Sequence, residues 1–420
     1  MSVAALAGMM SLAACSSDDI VSPADNDVQT IKIAVASTGD KATRGRDLNS
    51  EEPDQKIENV TVVIRNKATN KVVYQTIIND WDTKSKPYTE NGHGRECTLK
   101  LEGADRLNAG EYTITAVGYT AADFKDNTNT IESATKGKVV PGNFTAEVPD
   151  DKAAQEAFAG ESSIKLLEDH AAINPSVTLH RQVAGYYGYF TSIPVEVNSK
   201  KVTDVRLVAR SKNMKLTYGN FNSSFTTTNK NIMYVVNGSE PATIKDAKFK
   251  GSADNDAYTL YNIKVTDWFT QGDMNKDGIL DEKDEGWTNP LTTKGYKTDQ
   301  RGTIFAGGFA IPFAATDEAT LELQLLDVNG DILKAWPVKM ATAQPAGQNV
   351  EGTALSVTET EQNFSFFRNH MYTLGKKMDN KDSHTPGTNP NEPEPLDKSQ
   401  SMILRVNDNW EVINRMTIGD

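Results

Sequence analysis

Short runs of alternating apolar and polar residues recur along the chain, and no long stretch repeats at helical spacing. Val28 to Ala36 (VQTIKIAVA) sets Ile31, Ile33 and Val35 on one parity, which predicts a strand with one buried face. Lys56 to Asn66 and Lys71 to Asn79 alternate about Lys67-Ala68-Thr69-Asn70, a hairpin signal. Gly110-Glu111-Tyr112 opens the strongest run, with Tyr112, Ile114, Ala116 and Gly118 against Thr113, Thr115 and Val117. Further strands are expected at Glu96 to Leu101, Ser176 to Ala184, Lys201 to Ala209, Tyr234 to Val236, Ala306 to Pro312 and Asn363 to Gly375. Thr320 to Asp327 and Asp331 to Met340 flank Asn329-Gly330, which predicts a type I′ hairpin turn. Helical character is confined to Ala153 to Phe158 and Ser162 to Leu167, both short.

This pattern predicts an all-β chain of β-sandwich domains. With 420 residues there is room for two or three cores. We expect a leader over 1–15, and a tether, first strand and arginine-containing loop over 16–55. Sandwich domains are expected over 56–174 and 175–378, then a linker over 379–400 and a terminal strand segment over 401–420.

The terminal segment is where the pattern becomes unusual. Met402, Leu404 and Val406 alternate with Ile403, Arg405 and Asn407, and Trp410 and Val412 follow beyond a bend at Asp408-Asn409. These five residues form a donor-strand candidate at the end of a polar, proline-punctuated tether. Either the segment folds back as an edge strand of its own domain, or it adds to the sheet of a neighbouring subunit.

Charge narrows the partners. A net charge of -13 argues against nucleic acid. The two cysteines, Cys15 and Cys97, suggest no structural disulfide, and the five histidines are scattered without ligand spacing. No G-x-S-x-G, H-E-x-x-H or phosphate loop is present, so no catalytic residues are proposed and a non-enzymatic role is expected.

Ser2 to Ala14 has the apolar character of a signal peptide and is too short for a permanent span. Leu12-Ala13-Ala14-Cys15 fits a bacterial lipobox, which makes Cys15 the lipidation (palmitate) candidate, because two or more acyl chains give stable membrane attachment. Downstream of the first strand, Arg44 and Arg46 lie in polar, glycine-containing sequence open to a trypsin-like, arginine-specific protease.

Asp273 to Asp284 (DMNKDGILDEKD) matches the twelve-position calcium loop with Asp at the last position. The expected ligands are Asp273, Asn275, Asp277, the Ile279 carbonyl, Asp281 and Asp284, with Gly278 at the sharp turn; the competing expectation is an acidic surface turn without metal. Trp268, Trp287 and Trp336 are either core residues or parts of a sugar-binding platform.

Taken together, Cys15, the strand ending toward Arg44 and Arg46, Gly110-Glu111-Tyr112-Thr113, Leu179-x-Arg181-x-Val183-Ala184, Arg368 to Gly375 and Leu404-x-Val406-x-x-x-Trp410-Glu411-Val412 resemble the FimA-like (type V) fimbrillins of Bacteroidales. Ser16-Ser17-Asp18-Asp19 resembles the acidic tag of surface lipoproteins in the same order. The resemblance implies two transthyretin-like sandwiches, lipoprotein export to the outer membrane and cell surface, and cutting after an arginine that removes the first strand. A neighbour's tail then fills the vacancy, giving a fimbrium (pilus) of homo- or heteropolymeric subunits that supports adhesion to host or bacterial surface ligands. The alternatives are a tip adhesin, an anchor subunit, or a lipid-anchored surface glycan-binding protein.

Overall fold

The computed structural model describes residues 28–35, 57–87, 95–119, 131–142, 144–147, 156–209, 211–218, 240–243, 258–291, 300–311, 321–340, 371–375, 393–398 and 402–407. Among them the chain is all-β, and its only α-helices are the single turns α1 (Trp81–Lys84) and α2 (Val265–Trp268).

The first half supplies β1 (Gln29–Val35), β2 (Asn59–Asn66), β3 (Val72–Asn79), β4 (Lys86–Pro87), β5 (Arg95–Leu101), β6 (Gly110–Tyr119), β7 (Phe144–Glu147), β8 (Ala157–Leu166) and β9 (Ser176–Arg181). All but β7 form one sheet in the order β3-β2-β6-β8-β9-β1-β5-β4. That sheet turns a corner at β8–β9, where only Phe158↔Arg181 and Ala159↔His180 pair. The corner brings the two backbones close: a Cβ on Gly160 would lie 2.0 Å from the Thr178 carbonyl oxygen, so only glycine fits. The two layers close on a shared core in which Ile31, Ile33 and Val35 of β1 meet Val60, Val62, Ile64 and Ile114. Apolar alternation on both layers produces this sandwich, because each parity has a buried face to fill.

After β9 come β10 (Ala184–Thr191), β11 (Ile193–Pro194), β12 (Glu196–Val197), β13 (Lys200–Lys201), β14 (Asp204–Ala209), β15 (Ser211–Tyr218), β16 (Glu240–Thr243) and β17 (Tyr258–Lys264). The last strands are β18 (Ile279–Leu280), β19 (Ile304–Ala310), β20 (Leu321–Leu326), β21 (Ile332–Met340), β22 (Met371–Leu374), β23 (Glu394–Pro395) and β24 (Met402–Asn407). The second large sheet runs β17-β14-β20-β21-β24-β22-β10-β19, with β23 beside β10. Its core gathers Tyr187, Phe190, Leu207, Tyr261, Phe305 and Leu323. Small sheets pair β11 with β18 and β12 with β13, and β7 joins β15 and β16.

Four local expectations change. The 176–181 strand, read from sequence as the opening of the second domain, lies in the first sheet between β8 and β1. Residues 157–158 and 162–166 of the two stretches expected to be helical belong instead to β8, because long pairing with β6 overrides weak local propensity. The β20–β21 hairpin is present, but its turn is not type I′: Gly330 has positive φ and Asn329 does not. Asp327 closes it instead, its Oδ1 accepting from the Asn329 and Asp331 amides, both at 2.9 Å. Within the expected linker, residues 393–398 are packed: Leu396 is fully buried and its amide donates to the Thr191 carbonyl at 3.0 Å.

Candidate functional site

Two strands carry the expected chemistry, one in each large sheet. β1 is an interior strand. It runs antiparallel to β5 from Gln29↔Leu101 to Val35↔Arg95 and parallel to β9 from Lys32↔Ser176 to Val35↔Leu179. The Thr30 and Lys32 amides extend the parallel side by donating to the Ile173 and Pro175 carbonyls, each at 2.9 Å. Ile31, Ile33 and Val35 are completely buried. Cys97 stands opposite Ile33 on β5, half-buried, and burial pushes its thiol pKa up.

Two polar anchors flank these apolar slots. Gln29 is fully buried; its amide donates to the Leu107 carbonyl at 3.1 Å and the Ala171 carbonyl at 2.8 Å, and its oxygen accepts from the Leu107 amide at 2.6 Å. On the outer face the Lys32 ammonium lies 2.7 Å from the Glu96 carboxylate, and Lys86 approaches the same group at 3.6 Å. Sequence reading missed Gln29, because a lone glutamine before an apolar run carries no periodic signal. It also missed the buried pair at the C-terminal end of β9, where Arg181 lies 2.6 Å from Glu156 and over the Phe158 ring.

The terminal strand folds back into a sheet of its own chain, but as an interior strand rather than the expected edge strand. Val338, Lys339 and Met340 of β21 pair in parallel with Met402, Ile403 and Leu404. Met371, Tyr372 and Thr373 of β22 pair antiparallel with Asn407, Val406 and Arg405. β24 therefore changes partner at its midpoint and joins the two layers of its own sandwich. Of the donor-strand residues, Met402, Leu404 and Val406 lie on β24, while Trp410 and Val412 lie outside the described residues, as do Cys15, Arg44 and Arg46.

The acidic loop is fully described. Asp273 accepts from the Lys276 and Gly278 amides, Asn275 from Asp277, Asp277 from Ile279, and Asp281 from Lys283. Asp284 is buried, with one oxygen on the Met274 amide and the other on the Asp281 amide. Gly278 (φ 86°) takes the sharp turn. The carbonyl of Gly278, beside Ile279, accepts from the Val195 amide, so the loop is stitched to β11 and its neighbour. The Lys283 ammonium lies 3.2 Å from Asp277 and 3.4 Å from Asp281, and those hydrogen bonds raise its pKa. Among the described residues no three His, Cys, Asp or Glu side chains converge as a metal cluster.

The tryptophans belong to the core. Trp268 and Trp336 are buried, and Trp287 packs on the same cluster with its Nε1 donating to the Thr303 carbonyl at 2.8 Å. Trp268 meets Phe305 edge-on at 4.9 Å. The three therefore offer no exposed stacking platform for a sugar.

No family model and no curated protein matches the chain. Among solved structures it is similar to a candidate adhesin from Bacteroides ovatus, at 13% identity and TM-score 0.39 over 83% of this chain and 89% of that one. It is similar to a fimbrial assembly protein from Parabacteroides distasonis, at 13% identity and TM-score 0.33 over 83% and 92%. A candidate cell adhesion protein from Parabacteroides distasonis matches at 10% identity and TM-score 0.39 over 91% and 96%. Likeness this distant carries no argument about activity or partners.

Proposed function

We propose that this chain is a structural subunit of a cell-surface fimbria that polymerises by strand exchange. In this reading the protein is exported as a lipoprotein on Cys15, cut after Arg44 or Arg46 by an arginine-specific protease, and stripped of β1. The observation that carries the proposal is the position of β1: an interior strand whose apolar face is completely buried, followed in sequence by the arginines and joined through them to β2. Its loss would expose backbone donors and acceptors on β5 and β9 at once, together with the slots of three apolar side chains. Burial of such side chains is worth ~1.5–3 kcal/mol each, roughly 5–9 kcal/mol for three. That vacancy demands a replacement strand, and the tail of a second copy is the occupant. Head-to-tail filling does not close, so it yields a filament.

The test is to digest the purified full chain with a trypsin-like protease and follow assembly by electron microscopy and gel laddering. Polymers should form only after the cut. Polymerisation by a variant truncated before Ser401 would overturn the proposal.

For the acidic loop we propose a stabilising calcium ion held by Asp273, Asn275, Asp277, the Ile279 carbonyl, Asp281 and Asp284. The donor set is hard oxygen throughout, as calcium requires, while the carboxylates do not converge in the described geometry and Lys283 occupies two of them. Binding therefore requires displacement of Lys283. Millimolar calcium should raise the melting temperature, and Asp277→Ala should abolish the increase; an unchanged melting curve sinks the assignment.

A further inference from the structure

β1 is held by more than its apolar face. At its N-terminal end Gln29 plugs a socket made of the Leu107 amide, the Leu107 carbonyl and the Ala171 carbonyl. Beside it the Thr30 hydroxyl donates to the Ile173 carbonyl at 3.2 Å. A replacement strand without a matching side-chain amide would leave the buried Leu107 N–H and the part-buried Ala171 carbonyl without the partner that Gln29 gives them, while the Leu107 carbonyl would keep the His170 amide at 3.0 Å.

The chain carries such a strand. Gln400-Ser401-Met402-Ile403-Leu404-Arg405-Val406 follows Gln29-Thr30-Ile31-Lys32-Ile33-Ala34-Val35 position by position. Glutamine stands at the place of glutamine, hydroxyl at hydroxyl, and Met402, Leu404 and Val406 at the parity of Ile31, Ile33 and Val35. Sliding the tail by two residues puts Met402 or Lys398 in the glutamine socket, and sliding it by one turns Arg405 toward the core. In the matched register Ile403 replaces Lys32, so Glu96 would lose one of its cations. Arg405 falls at Ala34, directly opposite Glu96, and restores it. Ala34 is itself buried, so the longer arginine has to displace what covers that position for its guanidinium to reach the carboxylate.

We propose that the Leu107–Ala171 socket sets the register of an incoming tail, with Gln400 of a second copy taking the place of Gln29. The inference rests on the strand-exchange reading and adds to it the register and the residue that fixes it.

Cys97 supplies the test, because it lies opposite Ile33 and hence opposite Leu404 of the incoming tail. Donor chains carrying Cys97→Ser with Met402→Cys, Leu404→Cys or Val406→Cys are processed, mixed with processed wild-type acceptors, oxidised and mapped by mass spectrometry. Leu404→Cys should give the dominant intermolecular cross-link to Cys97. Dominance of Met402→Cys or Val406→Cys would overturn the register while leaving strand exchange intact. Polymers without any of the three cross-links would overturn exchange at this groove altogether. In a second arm, Gln400→Leu should slow assembly about tenfold or more, the cost of stranding buried polar groups; assembly at the wild-type rate would remove the socket from the account.

Discussion

The first and last strands of the structure hold equivalent places and are gripped very differently. β1 and β24 are both interior, and each runs parallel to one neighbour and antiparallel to the other. In β1, Lys32 to Val35 are paired on both sides, and a buried glutamine and an ion pair lock the two faces. In β24, among the described residues, Met402 to Leu404 pair with β21 and Arg405 to Asn407 with β22. A strand held on one side at a time can peel away in two steps, whereas β1 must break both ladders together. In the proposed strand exchange, that difference would separate a piece released by cutting its connection from a piece that peels away intact.

The sharpest way to break this comparison is to remove each strand in turn. Losing β1 should cost the first sandwich roughly 5–9 kcal/mol from its three apolar side chains alone, enough to unfold a typical domain. Urea denaturation of the processed chain should show the first transition displaced to far lower denaturant, with dye binding to exposed apolar surface. Truncation before Ser401 should displace the second transition much less. Equal displacements would refute the asymmetry. Within β1, Ile33→Ala should cost about 2–5 kcal/mol, because the fully buried site leaves a cavity between two layers. Hydrogen exchange sharpens the same point: the Lys32 and Ala34 amides should exchange only on global unfolding, and those of β24 on the order of a hundredfold faster through local opening.

Sequence legibility followed the same division. Alternation in Val28 to Ala36 revealed β1, its buried parity and the all-β class, because period 2 is written directly in residue type. What alternation does not encode is which strands become neighbours. Thus 176–181 was read into the wrong set of strands, since its partners β1 and β8 lie far away in sequence. β24 was legible as a strand but not as the one joining two layers. Gln29 was invisible for a related reason: its value comes from Leu107 and Ala171, distant backbone groups that no local pattern announces. Leu396 shows the opposite failure, where proline and acidic neighbours outvoted one apolar anchor.

Smaller effects test the polar grip on β1. Gln29→Leu keeps roughly the size of the side chain but strands the Leu107 amide and the Ala171 carbonyl, so it should destabilise the intact chain by about 1–3 kcal/mol in denaturant titration. A change within error would mean that the socket is wet and β1 is held by its apolar face alone.

The smallest effect is read at Cys97. Burial disfavours its thiolate and raises its pKa above the ordinary thiol value, with Lys84 opposing weakly. Removing β1 uncovers the strand on which Cys97 sits, so the pKa should fall and the thiolate fraction at a fixed pH near 8 should rise. Alkylation of the processed chain should therefore be several times faster than that of the intact chain, with its pH midpoint shifted downward. Adding the tail of a second subunit should slow it again. A rate indifferent to β1 would show that Cys97 is screened by β4 and β5 themselves, and the groove would then not open where the exchange requires it.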